Sequence, residues 1–169
     1  MTLAELNRAS RSEFVAMLGA LFEESPWVAD ASWPASPFAT IDELHAAMAE
    51  AVRSAPEERR LALIRAHPDL AGRAARGGAM SEASTAEQAS AGLSSLSESE
   101  FERFHRLNAA YRERFGFPFV IAVRRHSKAS LLAAFEARLS HSREAEIEAA
   151  LGEIFAITRL RLDALLGGA

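Results

Sequence analysis

Cysteine is absent from the 169-residue chain, so disulfides, thiolate metal sites and a cysteine nucleophile are excluded and packing must hold the fold. Positive charge is scarce as well: 19 basic residues stand against 23 acidic ones, a net charge of -4 that offers no footprint for nucleic acid or an anionic membrane. No apolar run reaches the roughly 18 residues of a membrane span, and the opening MTLAELNRASRSEF lacks the basic start and apolar block of a signal peptide. A soluble, cytoplasmic protein without membrane or nucleic-acid partners is the expectation. Histidines occur at 45, 67, 105, 126 and 141, with no pair three or four apart and no HExxH, so no metal site is expected. RGGAM lacks the spacing and lysine of a phosphate loop, and no GxSxG marks a serine nucleophile.

What is present is helical punctuation. With 49% hydrophobic residues the chain can bury one core, so residues 1–169 are read as a single domain. Ser10-x-x-Glu13, Thr40-x-x-Glu43, Ser84-x-x-Glu87 and Ser97-x-x-Glu100 match the capping box, in which a hydroxyl and a carboxylate satisfy N–H groups that a helix start leaves unpaired. Phe14, Leu18, Leu21 and Phe22 recur at helical spacing, as do Ile41, Leu44, Met48 and Val52. Further helices are expected after Pro56 to Ala66, over Thr85–Ala91 up to Gly92, over Glu98–Phe115 up to Gly116, and over Lys128–Leu139 and Arg143–Leu166. The result is an all-α helical bundle of about seven to nine helices. One run, FPFVIAV at 117–123, breaks the pattern and reads as a buried extended apolar segment whose backbone needs partners. The glycine-rich stretch between Gly72 and Ser84 reads as a loop that could be mobile.

Candidate chemistry starts at RAHPDLAG, residues 65–72, where Pro68 stops a helix and leaves His67 in its last turn. The negative end of the helix dipole favours an imidazolium there, which suits a proton-transfer group; capping of the last carbonyls explains the residue equally well. Ser84 and Glu87 face the same choice, since a capping box accounts for them, while a helix start with Gln88 beside it can also bind an anion. For 117–123, core packing accounts for most side chains and leaves the backbone as the plausible ligand contact. Arg159 and Arg161 interrupt an apolar helix face, as snorkelling or ion-paired arginines do, or as an inward arginine meeting a carboxylate would.

Three segments in one order, HPDLAG (67–72), STAEQASAGL (84–93) and NAAYRERFGFPFVIAVR (108–124), together resemble the 2-oxo-4-hydroxy-4-carboxy-5-ureidoimidazoline (OHCU) decarboxylases of urate breakdown. The departure from the family pattern is Arg125-His126, where a small residue, often glycine, usually follows AVR. The resemblance implies an all-α fold, often a homodimer, and cofactor-free conversion of OHCU to (S)-allantoin with loss of carbon dioxide. It implies His67 as the catalytic acid/base and Glu87 as the group orienting His67 or the substrate N–H groups. Pro68, Ser84, Gln88, Phe119, Val120, Ile121, Ala122 and Val123 would fall in substrate-binding segments, and Arg161 would face anionic oxygen. Two other readings share the fold: a non-catalytic helical module binding a polar heterocycle or a partner helix, and an enzyme acting on a related ureido compound.

Overall fold

The computed structural model describes residues 1–72 and 80–167; most of the glycine-rich loop expected between Gly72 and Ser84 lies outside the described residues. Among those described, nine α-helices and two 3₁₀ turns account for all regular structure, and there is no strand. None of these helices is long and apolar enough to cross a membrane. The chain divides into two compact units, Met1–Leu63 with the segment from Phe155 on, and Ile64–Ile154.

The first unit contains α1 (Leu3–Leu6), α2 (Arg11–Leu18), α3 (Trp27–Ser32) with a 3₁₀ turn at Trp33–Ala35, α4 (Ile41–Arg53), most of α5 (Glu57–Arg65) and the end of the last helix. Ser10 caps α2 and Thr40 caps α4 through their hydroxyls, as expected; the Glu43 carboxylate, however, takes the N–H of Ala39 instead of that of Thr40. Helix α3 packs against both α2 and α4. Phe14, Leu18, Phe22, Leu44, Met48 and Val52 are buried, so the apolar faces read at helical spacing do form this unit's core. Asn7 ties the 38 region to the start of the chain, donating to Phe38 O at 2.8 Å and accepting from Phe38 N at 2.8 Å.

The second unit holds the end of α5, α6 (Glu82–Ser90), α7 (Glu98–Phe115), a 3₁₀ turn at Val123–Arg125, α8 (Lys128–Arg138) and the start of α9 (Arg143–Leu166). Ser97 and Glu100 form the complete capping box expected for α7, and Gly116 closes that helix at φ 80°, a left-handed conformation open to glycine without strain. Tyr111 lies edge-on to Phe117, Phe119 and Phe135, and the last two rings stack with centroids 3.9 Å apart. Phe117 and Phe119 anchor residues 117–123, every one of them buried, in this aromatic cluster.

Candidate active site

Helix α5 ends at Arg65, and the N–H of His67 closes its last turn on Ile64 O at 3.2 Å before Pro68 prevents continuation. The imidazole is 5% exposed, a degree of burial that a surface cap does not need. Non-helical backbone that is this buried must find hydrogen bonds. It finds them in side chains from two other elements. Gln88 Oε1 accepts from Ala71 N at 2.9 Å while Gln88 Nε2 donates to Asp69 O at 3.1 Å, and Asn108 Nδ2 donates to Leu70 O at 2.8 Å. Arg112 Nε adds an ion pair to the Asp69 carboxylate at 2.9 Å. Ala71 is held at φ 51°, a left-handed conformation that costs a residue with a Cβ on the order of 1–2 kcal/mol and persists where its surroundings dictate it.

Ser84 and Glu87 are not the capping box expected of them. Helix α6 starts earlier, at Glu82, and its cap is Ser81, whose hydroxyl accepts from Ser84 N at 3.2 Å. Ser84, Glu87 and Gln88 therefore lie inside the helix at spacings of three and four, on one face, and all three are buried. Burial of a carboxylate in mid-helix has no capping rationale, and the choice left open by the sequence narrows to packing or function.

The expected backbone contacts at 117–123 are partly taken by charged side chains. With no strand to pair with, Val120 O accepts from Arg138 Nη1 at 2.7 Å and Ala122 N donates to Glu153 Oε2 at 2.9 Å. Arg138 also lies over the Phe119 ring, 4.4 Å from its centroid, and pairs through Nε with the fully buried Glu146 carboxylate at 2.8 Å. Tyr111 donates its phenolic proton to the same Glu146 oxygen, and His141 Nδ1 is 3.0 Å from the other. Burial, reinforced by the bond to Glu146, pushes the Tyr111 phenol well above its ordinary range, so it remains a donor.

The three segments read from the sequence thus meet within the second unit. Gln88 joins α6 to the 69–71 backbone, and α6 packs on the Val123–Arg125 turn, which includes the Arg125 that departs from the family pattern. A cavity of about 290 Å³ opens beside them, lined by Ala71, Met80, Thr85, Gln88, Leu93 and Phe101 among others; of the expected site residues only Gln88 is in its wall. Arg161 belongs to the first unit, where Nη2 donates to Glu23 Oε1 at 2.9 Å and Nη1 to Leu21 O at 3.0 Å. Sequence reasoning missed Asn108, Arg138 and Glu153. The first two carried a signal, being polar residues in the buried registers of α7 and α8. Asn108 Oδ1 is moreover buried with no donor among the described residues, and its identity is fixed because the other amide atom must donate to Leu70 O. No group of three or more His, Asp or Glu side chains among the described residues is arranged to hold a metal ion.

The OHCU decarboxylase family model matches residues 7–163. An OHCU decarboxylase of Haloferax volcanii is 48% identical over 162 residues, covering 96% of this chain and 94% of its own. One from Halalkalicoccus jeotgali is 44% identical over 165 residues, covering 98% and 92% respectively. The crystal structure of an (S)-allantoin synthase superposes with a TM-score of 0.79 at 33% identity; the match takes in 98% of this chain and spans 54% of that longer one. These matches run through all three segments singled out in the sequence, and the chain belongs to the OHCU decarboxylase family.

Proposed function

We propose that the second unit carries out the decarboxylation of OHCU, with His67 as acid/base and Glu87 orienting either the imidazole or the ureido and ring N–H groups of the substrate. The carboxylate of OHCU sits on a ring carbon that also bears a hydroxyl, next to a ring C=N bond. As the C–C bond breaks, its electron pair forms a C=C bond and the C=N pair moves to nitrogen, which gains a proton. The hydroxyl then loses a proton as it becomes the ring carbonyl, and the neighbouring carbon that bears the ureido group gains one, giving allantoin. The substrate is its own electron sink. What remains for the protein is to orient the ring, move protons, and choose the face on which the new C–H bond forms, which sets the (S) configuration.

The observation that carries this reading is the clamp on residues 69–71. A buried histidine follows a stopped helix, and residues 69–71, just beyond Pro68, are held by Gln88 and Asn108 from two different helices. That is the rigid mounting an acid/base group needs. In this reading Pro68, Ser84 and Phe119 to Val123 contact the substrate, as the resemblance implies, and Gln88, whose amide holds the clamp, also lines the cavity. We take the working form to be a homodimer, as the resemblance implies, acting in the cytoplasm; sedimentation of the purified protein at the monomer mass would refute the dimer. The reaction itself is tested by generating OHCU from urate with an oxidase and a hydrolase and following circular dichroism. Faster decay to optically active (S)-allantoin is expected. Unchanged decay to racemic product with well-folded protein would overturn the reading, and tight allantoin binding without turnover would favour a non-catalytic binding module.

A further inference from the structure

The backbone at 119–123 is where the resemblance puts heterocycle recognition, yet nothing in a sheet holds it. Two charged side chains do. Arg138 reaches from α8 to Val120 O at 2.7 Å, and Glu153 reaches from α9 to Ala122 N at 2.9 Å. These bonds fix the two peptide groups on either side of Ile121, so the orientation of that stretch is a consequence of two ionic side chains and not of any ladder. Arg138 is in turn fixed on three sides: by the buried Glu146 carboxylate, by the face of Phe119, and by Val120 itself. Glu146 accepts from Tyr111 as well, whose ring packs against Phe119. The network is expensive for a mere filler. A buried guanidinium and carboxylate contribute less net stability than well-packed apolar groups of the same volume, so their presence behind this one stretch calls for a reason in its geometry.

We propose that Arg138 and Glu153 are positioning residues for the decarboxylation: by setting the peptide planes at Val120 and Ala122 they fix the seat of the heterocycle and so decide which face receives the proton. Neither touches the reacting atoms. The inference rests on the reading above that 119–123 contacts the substrate ring. Loss of either bond lets the stretch rotate or shift, and a misplacement of about 1 Å can lower kcat/KM by on the order of 10²-fold. The effect should differ in kind from the loss of an acid/base group, because the ring binds less well and in more than one orientation. KM rises and the enantiomeric excess falls.

The test uses Glu153→Ala, Glu153→Gln and Arg138→Lys beside the parent, with product chirality extrapolated to high enzyme concentration, where uncatalysed decay no longer contributes. Glu153 is only half-buried, so its variants should fold even where Arg138→Lys does not. Glu153→Ala is expected to raise KM about tenfold or more, within the range that misplacement allows, and to lower the (S) excess; Glu153→Gln, which keeps an acceptor for Ala122 N, should restore both. Arg138→Lys, if folded, should behave as Glu153→Ala does. Folded variants with the parent's KM and enantiomeric excess would overturn the proposal, as would failure of Glu153→Ala to fold, which would make that carboxylate a determinant of the fold alone. A parent protein without enantioselective turnover would instead overturn the functional reading.

Discussion

Replacing Gln88 by Leu, close to it in volume, removes its two bonds in the clamp on residues 69–71 and leaves that of Asn108. Ala71 N–H loses its acceptor at 2.9 Å and Asp69 O its donor at 3.1 Å. A buried backbone group left without a partner costs about 1–3 kcal/mol. Ala71 is 2% exposed, whereas the half-buried Asp69 can recover part of its loss from solvent. The expected destabilisation is therefore about 2–3 kcal/mol, most of it from Ala71. Ala71 would also lose the contact that keeps it at φ 51°, and the chain three residues after Pro68 would relax toward an ordinary conformation, carrying His67 with it. Urea denaturation gives the first quantity from the midpoint and slope. Turnover per folded molecule gives the second, with a loss of about 10²-fold in kcat/KM for a displaced acid/base. Stability of Gln88→Leu within about 0.5 kcal/mol of the parent, a change typical of an unconstrained surface site, together with unchanged turnover, would refute the clamp.

Asn108→Leu leaves Leu70 O without its donor and removes the buried Oδ1, so a stability loss of about 1–3 kcal/mol is expected; parent-like values of both stability and kcat/KM would show that neither amide atom matters. In the first unit, burial holds the His45 imidazole below its ordinary value of 6.5, outweighing its hydrogen bond to the Phe155 backbone. Below that value the unfolded chain binds a proton that the folded chain resists. Stability from this group is thus complete above 6.5 and declines as pH falls toward the lowered folded value. Thermal melts between pH 7.5 and 5.5, about one unit to either side of an ordinary histidine pKa, should show a shallower acid-side decline in His45→Gln than in the parent, and parallel curves would contradict the assignment.

Much of the helical frame could be read directly, because caps and periodicity are local. Helix α9 spans the expected Arg143–Leu166, and Ser10 and Ser97 cap where their glutamate partners said they should. The start of α6 was displaced by one turn for an instructive reason. Ser84-x-x-Glu87 is the stronger pattern on paper, since Ser81 has Ser84 and not an acid three residues on, yet the pattern is blind to burial. The side chains at 84 and 87 face inward, and a buried carboxylate cannot serve as an exposed cap. Helices α1 and α3 escaped notice because four and six residues are too few to show a period, and α3 follows Pro26, which offers no side-chain cap. At the site, the position of His67 and the burial of 117–123 were readable, but the partners of their backbone were not. Those come from Gln88, Asn108, Arg138 and Glu153, each remote in sequence from the residue it holds. A polar residue in an apolar register, as at 108 and 138, marks such partners without saying whom they serve.

The claim that His67 is the acid/base, mounted at a stopped helix and not idle there, is tested most directly by turnover of freshly generated OHCU with His67→Asn. The asparagine retains polarity and the ability to hydrogen bond while losing the titrating imidazole. Measured per folded molecule, the rate of (S)-allantoin formation should fall by about 10²–10⁴-fold, as for a lost acid–base group, with the chain still folded. A His67→Asn protein that turns over at the parent's rate, differing only in its melting temperature, would contradict the account.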